Sequence, residues 1–174
     1  MLFQLVSEGG FNTGKMVGID YSMNSVTLAR RLASSKGMDG MKFDVCDVFA
    51  AQPSSGWAWK PHEGFDLILD KGTFDAMSLS EETYIDEDGT EKRICERYPE
   101  IVVGLVKKGG WVMVTSCNWT EDEVVRWFTV GTGGQLEVWG KVEYPKFIFG
   151  GVEGQEVAGV CFRRKDGASS GEEG

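Results

Sequence analysis

The stretch MVGIDYSMNSVTLARRLASSKG, residues 16–37, carries the reading on which the fold turns. Met16 to Asp20 is a short apolar run closed by an acidic residue. From Ser22 to Lys36, Val26, Ala29, Leu32 and Ala33 then recur at helical spacing. The pattern predicts a strand followed directly by a helix. Ser22 or Asn24 can cap that helix through a side-chain oxygen, and Gly37 can end it in a left-handed conformation.

Strand-helix alternation continues downstream. Met41 to Val45 alternates, with Met41, Phe43 and Val45 on one face and Lys42 and Asp44 on the other, as in a strand at or near a sheet edge. Gln52 to Glu63 holds two prolines and a glycine and reads as a surface loop. Phe65 to Leu69 (FDLIL) is a further strand, closed by Asp70. Glu81 to Lys92 has no apolar face and reads as a mobile acidic excursion. Ile94 to Lys108 reads as a helix with Ile101, Val102, Leu105 and Val106 on one face. Pro99 is expected to kink or restart it, and Gly109 and Gly110 to stop it.

Trp111 to Thr115 (WVMVT) is continuously apolar, as in a parallel strand buried on both faces. Glu121 to Val130 is a short helix with Thr120 as N-cap. Gln135 to Tyr144 and Glu156 to Arg164 read as two strands joined by a turn at Gly150 to Gly154. Their direct succession implies an antiparallel pair appended to a parallel sheet.

With 174 residues, 41% apolar and 26% charged, the chain fits one α/β domain with a single core over residues 1–165, and 166–174 read as a disordered tail. A net charge of −9 without a basic stripe argues against a phosphate-tracking nucleic-acid binder and fits a basic protein partner better. Cys46, Cys95, Cys117 and Cys161 lack CxxC spacing, and the single histidine, His62, has no second ligand nearby, so no metal is expected. No run of about 18 apolar residues and no secretory signal is present, so a soluble cytoplasmic protein without a membrane partner is expected.

Ligands of an open parallel α/β sheet bind beyond the carboxyl ends of its strands, so the residues closing each strand are the candidates. Asp20 can accept both hydroxyl protons of a ribose diol, or it can simply cap the following helix. Asp47 can accept an adenine amino hydrogen while the Val48 N–H meets a ring nitrogen, or it can be a turn aspartate. Asp70 opens DKGTFDA, where Gly72 removes a side chain and Phe74 offers an aromatic wall; a solvated loop is the competing reading. In SCNWT (116–120), Asn118 can orient an amine and Trp119 can flank a methylammonium-forming lysine. A core tryptophan is the alternative.

VGIDYS (17–22), FDLILDKGTFDAMSL (65–79), VKKGG (106–110) and VTSCNWT (114–120), in this order and spacing, closely resemble the elongation factor 1-alpha lysine methyltransferases over residues 1 to about 165. The resemblance implies a Rossmann-like seven-stranded sheet with an antiparallel C-terminal strand pair. It also implies S-adenosyl-L-methionine as methyl donor and a lysine of elongation factor 1-alpha as acceptor; a monomer is expected. By position, Asp20, Tyr21, Ser22, Asp47, Val48 and Asp70 would hold the cofactor. Lys71, Gly72, Thr73, Phe74, Asn118 and Trp119 would hold the substrate, and Asp70, Asn118 and Trp119 would serve catalysis. In relatives a strand and a G-x-G-x-G type loop precede a helix that begins like LFQLVSEGGF (2–11). The first strand and glycine loop are therefore expected to be missing here, which would leave buried strand edges unpaired.

The implied mechanism is in-line transfer to an aligned, neutral amine, which needs no acid/base dyad. Two other readings compete: an NAD-dependent reductase, disfavoured by the antiparallel pair and the lack of a Tyr-x-x-x-Lys dyad, and a non-catalytic remnant that binds a partner protein.

Overall fold

The computed structural model describes residues 1–49, 61–145, 147–149, 152–154 and 157–166. Length leads one to expect a single core, but the chain parts into two compact units, Met1–Trp59 and Lys60–Gly174.

The first unit runs α1 (Leu2–Ser7), a 3-10 turn (Thr13–Lys15), β1 (Val17–Asp20), α2 (Met23–Ser35) and β2 (Lys42–Val45). The strand-helix reading of residues 16–37 is what forms. The Ser22 side chain accepts from Ser25 N at 3.3 Å, and Gly37 turns left-handed at φ +66°. β1 and β2 pair in parallel from Val17↔Lys42 to Asp20↔Val45. The expected apolar face of the second strand holds only in part. Met41 is buried, but Val45 is 38% exposed, and the inward positions pass to Cys46 and Val48 because the pleat ends at Val45. A Cβ on Gly18 would stand 2.7 Å from the Phe43 ring, so close approach, not turn geometry, selects glycine there.

The second unit is built on a four-stranded sheet ordered β3-β6-β10-β7: β3 (Phe65–Lys71), β6 (Val106–Ser116), β10 (Ala158–Arg164) and β7 (Leu136–Lys141). β3 and β6 are parallel, whereas β10 runs antiparallel to both β6 and β7, as the appended-pair reading anticipates. Val112, Val114, Val160 and Phe162 are fully buried under α4 (Ile94–Leu105) and α5 (Glu121–Val130). Each such side chain contributes roughly 1.5–3 kcal/mol. On the opposite face Leu67, Trp111 and Trp139 are more than a third exposed. Thr120 caps α5 as expected, in a reciprocal box with Glu123.

Several expectations are corrected. Residues 81–92 form an ordered hairpin, β4 (Thr83–Ile85) with β5 (Glu91–Arg93), and not a mobile excursion. Its polar side chains pair across the strands: Thr83 with Glu91, and Lys92 with Asp86. Gly89 makes the turn at φ +81°, and the Arg93 guanidinium donates to the Ser78 and Ser80 carbonyls. α4 runs through Pro99 without restarting and ends at Leu105. Residues 106–108 belong to β6, and Gly109 and Gly110 do not stop a helix. The pairs Phe65↔Val106 and Leu67↔Trp111 leave Lys107–Gly110 as a bulge, for which Gly109 supplies φ +71°. The expected turn at 150–154 includes a strand, because β9 (Val152–Gly154) pairs with β8 (Phe147–Phe149). The loop expected at 52–63 lies outside the described residues except for 61–63, and so does the tail expected at 166–174 except for Asp166.

Candidate active site

The candidate residues fall at two carboxyl edges, one in each unit. In the first unit the parallel register brings Asp20, Tyr21, Ser22, Asp47 and Val48 to one end of the β1–β2 pair. Cys46 N donates to the Asp20 carbonyl at 3.0 Å, which ties the two strand ends together. Asp20 Oδ1 accepts the Ser22 N–H at 2.8 Å, so the carboxylate acts as a local turn acceptor. An ionised carboxylate offers about four lone-pair sites, and acceptor capacity for a diol is left over. Tyr21 is 77% exposed. Asp47 takes the Phe49 N–H at 2.9 Å, and the Val48 side chain is buried, so Val48 can offer a ligand only its backbone. A hollow of about 190 Å³, lined by Leu2, Gly18, Asp20, Val26, Ala29 and Phe43 among others, opens beside β1. Its walls are mostly apolar, the Phe43 ring among them, and Asp20 lies in its lining with acceptor capacity left over.

The second unit's edge is of another kind. Asp70, at the end of β3, is 3% exposed and spent internally. Its two oxygens accept Thr73 N at 2.8 Å and Phe74 N at 3.1 Å, and the buried Tyr98 phenol hydrogen-bonds it as well. Burial raises its pKa, with those hydrogen bonds opposing the rise. Such a carboxylate fastens the first turn of α3 (Thr73–Ser78), and the geometry does not present it to a reacting atom, as the catalytic reading requires. Gly72 stands at φ +87° just before that helix, so the left-handed turn itself calls for glycine. Phe74 is wholly buried, its ring 5.2–6.1 Å from those of Tyr98, Trp119, Trp127 and Phe128, and it is therefore a core anchor instead of a substrate wall. Trp119 stacks on Phe74 at 6.1 Å and meets Trp127 edge-on, which follows the core reading over much of the indole. Its Nε1–H is buried without a partner among the described residues. Lys71 and Asn118 are exposed.

Sequence reasoning passed over the residue that organises this edge. Asp75 in α3 accepts Ser116 Oγ at 2.5 Å and Cys117 N at 2.8 Å, and its own carbonyl accepts Asn118 Nδ2 at 3.4 Å. Fully buried Ser116 in turn accepts Asn118 N at 3.2 Å and Trp119 N at 3.0 Å. Asp75 lies inside FDLILDKGTFDAMSL, but nothing local marks a pairing 41 residues away.

Parallel strands followed by carboxylates in both units, and a second-unit sheet that ends in an antiparallel pair, define a Rossmann-like α/β protein. The chain belongs to the methyltransferase domain family, whose model matches residues 1–151. It is 37% identical over 167 residues to protein-lysine N-methyltransferase EFM4 of Saccharomyces cerevisiae, covering 95% of this chain and 66% of that protein. It is 32% identical to human EEF1A lysine methyltransferase 2, covering 92% of this chain and 60% of that protein. The chain thus spans between three fifths and two thirds of the length of these relatives. Among solved structures, a TehB-like SAM-dependent methyltransferase from Corynebacterium glutamicum aligns with TM-score 0.53 and 18% identity, covering 86% of this chain and 67% of that one, a likeness of fold. The methyltransferase class read from VGIDYS, DKGT and SCNWT is the class the family model finds.

Proposed function

We propose that the protein is an S-adenosyl-L-methionine-dependent protein-lysine N-methyltransferase acting on elongation factor 1-alpha in the cytoplasm. The observation that carries this reading is the similarity, at 31–37% identity over 92–95% of the chain, to proteins named as lysine methyltransferases, three of them EEF1A lysine methyltransferase 2. Among the described residues no helix is long and apolar enough to cross a membrane.

S-adenosyl-L-methionine, when bound, supplies a methyl group already activated on a sulfonium. The chain's own residues then have to bind and align. Asp20 would receive the ribose hydroxyls, and the Asp47–Val48 turn would meet the adenine edge. The hollow beside Gly18 would take the nucleoside's apolar surface. Exposed Asn118 and the accessible part of Trp119 would meet the lysine. Asp70 and Phe74 would act at one remove, by fixing the backbone of residues 71–74. The acidic surface, at a net charge of −9, favours encounter with a basic partner.

Incubating the protein with tritiated S-adenosyl-L-methionine and purified elongation factor 1-alpha tests the reading. Label on a lysine of the factor, absent when that lysine is replaced by arginine, is the expected result. Label on no protein or only on other proteins would overturn the activity or the substrate respectively.

A further inference from the structure

The clamp around Asp75 has a chemistry that neither the family match nor the strand-end aspartates explain. Ser116 has one hydroxyl proton and two lone pairs, and all three are used: the proton goes to Asp75 Oδ1, and the lone pairs take Asn118 N and Trp119 N. The second oxygen of Asp75 takes Cys117 N. Both groups that face Asp75 are therefore donors, so the position needs two acceptors, which an aspartate has and an asparagine does not. The third contact fixes a direction. The Asp75 carbonyl can only accept, so the group of Asn118 that meets it is the NH₂. The amide oxygen of Asn118 is thereby turned the other way, on an exposed residue.

We infer that Asp75 is a positioning residue for methyl transfer: acting through Ser116 and its own carbonyl, it sets Asn118 so that Oδ1 faces the target amine. The inference rests on the lysine-methyltransferase reading above. A neutral amine carries N–H donors and one lone pair, and the lone pair has to point at the methyl carbon. An acceptor at Asn118 Oδ1 holds an N–H and leaves the lone pair free. A reversed amide would present N–H groups that compete for that lone pair. The transfer itself is unaltered: nitrogen gains the methyl group, sulfur keeps the bonding electrons, and an amine proton leaves to solvent.

The test is a double-mutant cycle on the full chain, with tritiated S-adenosyl-L-methionine and elongation factor 1-alpha. Asp75→Asn should lower kcat on the order of tenfold or more, as misplacement of an aligning group does. Cofactor affinity should stay unchanged, and Asp75→Glu, which retains two acceptors, should recover part of the loss. In an Asn118→Ala background, Asp75→Asn should cost much less than it does alone, what remains being its effect on Trp119, whose N–H Ser116 also holds. Additive losses, or a kcat for Asp75→Asn equal to the wild type, overturn the positioning role. If Asp75→Asn does not fold, Asn118→Leu tests the contact from its exposed side, and full activity in that variant also overturns it. A wild-type chain that transfers no methyl group at all fails one step earlier: the lysine-methyltransferase reading falls, and this inference falls with it.

Discussion

The two carboxyl edges use the same residue type for opposite ends. At β1–β2, Asp20 ends its strand half-buried with a short turn contact to Ser22 N, beside a 77% exposed Tyr21, and the exposed Asp47 follows the other strand. At β3–β6, Asp70 is buried and its oxygens are taken by the backbone of the following helix, while Asp75 is fastened to a loop from a distant strand. A carboxylate such as Asp20, with acceptor capacity left over, can take a ligand's donors without giving up its turn contact. A saturated buried one cannot release its partners without leaving donors unsatisfied. The first edge is thus equipped to bind and the second to hold shape, with Asn118 as the group that the shape presents.

The sharpest way to break this division is Phe74→Ala. Its fully buried ring joins α3 to α4, α5 and the SCNWT loop, so the loss should be about 3–5 kcal/mol of stability. Chemical unfolding of the second unit would register it. A variant as stable as the parent but deficient in substrate binding would restore Phe74 to the substrate wall.

Asp20→Ala should do the converse. We expect about 1–3 kcal/mol weaker S-adenosyl-L-methionine binding with a smaller change in unfolding, since the side chain's contact among the described residues is a single turn bond from the Ser22 N–H. Titration calorimetry measures the first quantity and urea unfolding the second. Unchanged cofactor affinity removes Asp20 from the site.

A smaller effect is expected at Thr120→Ala, which deletes one half of the capping box of α5. A cost of about 1 kcal/mol is expected in urea unfolding, and a partial rescue by Thr120→Ser. Equal stability of all three chains would show that the end of α5 is held by packing and not by its cap.

How much of this was legible in advance depended on how local the cause was. Residues 16–37 and 120–130 announce their caps and periodicity within a few residues, and both formed as read. The hairpin at 83–93 carries its turn signal in Asp88–Gly89, but its stability lies in polar pairs across the strands and in the hold of Arg93 on Ser78 and Ser80, which a search for an apolar face cannot see. The helix read from Ile94 to Lys108 forms but ends three residues early, because a buried strand is as apolar as the helix face before it. Gly104 stands one residue before the boundary at Leu105, but it lies inside the helix and is not in the left-handed conformation of a helix stop. At the site, strand-end aspartates were visible by position, but whether each was open or saturated was not. For Asp70 that property comes from burial and from Tyr98 as well as from the nearby N–H groups of Thr73 and Phe74, and for Asp75 from Ser116 and Cys117; burial, Tyr98, Ser116 and Cys117 are not local in sequence.

The least effect, and the finest test of the contrast, is the pH dependence that Asp70 imposes. Burial is the largest influence on its carboxyl and raises the folded-state pKa, against the opposing bonds from Tyr98, Thr73 and Phe74. Between the unfolded value of about 3.9 and the raised folded one, the native chain holds more proton than the unfolded chain. The contribution of this group to stability is therefore fully present below the unfolded pKa and is lost as pH rises through the folded pKa. Asp70→Asn removes the titration and replaces it with a constant offset from altered hydrogen bonding. The stability of the wild type minus that of Asp70→Asn should accordingly decline as pH climbs through this window and then level off. Urea midpoints of the two proteins, taken in steps across the carboxylate range and up to neutrality, give that difference directly. A flat difference would mean that folding leaves its titration unshifted, and one that grows with pH that Asp70 is ionised and favourably held in the folded chain. The second edge would then keep an available charge, and the division between a binding edge and a shaping edge would not stand.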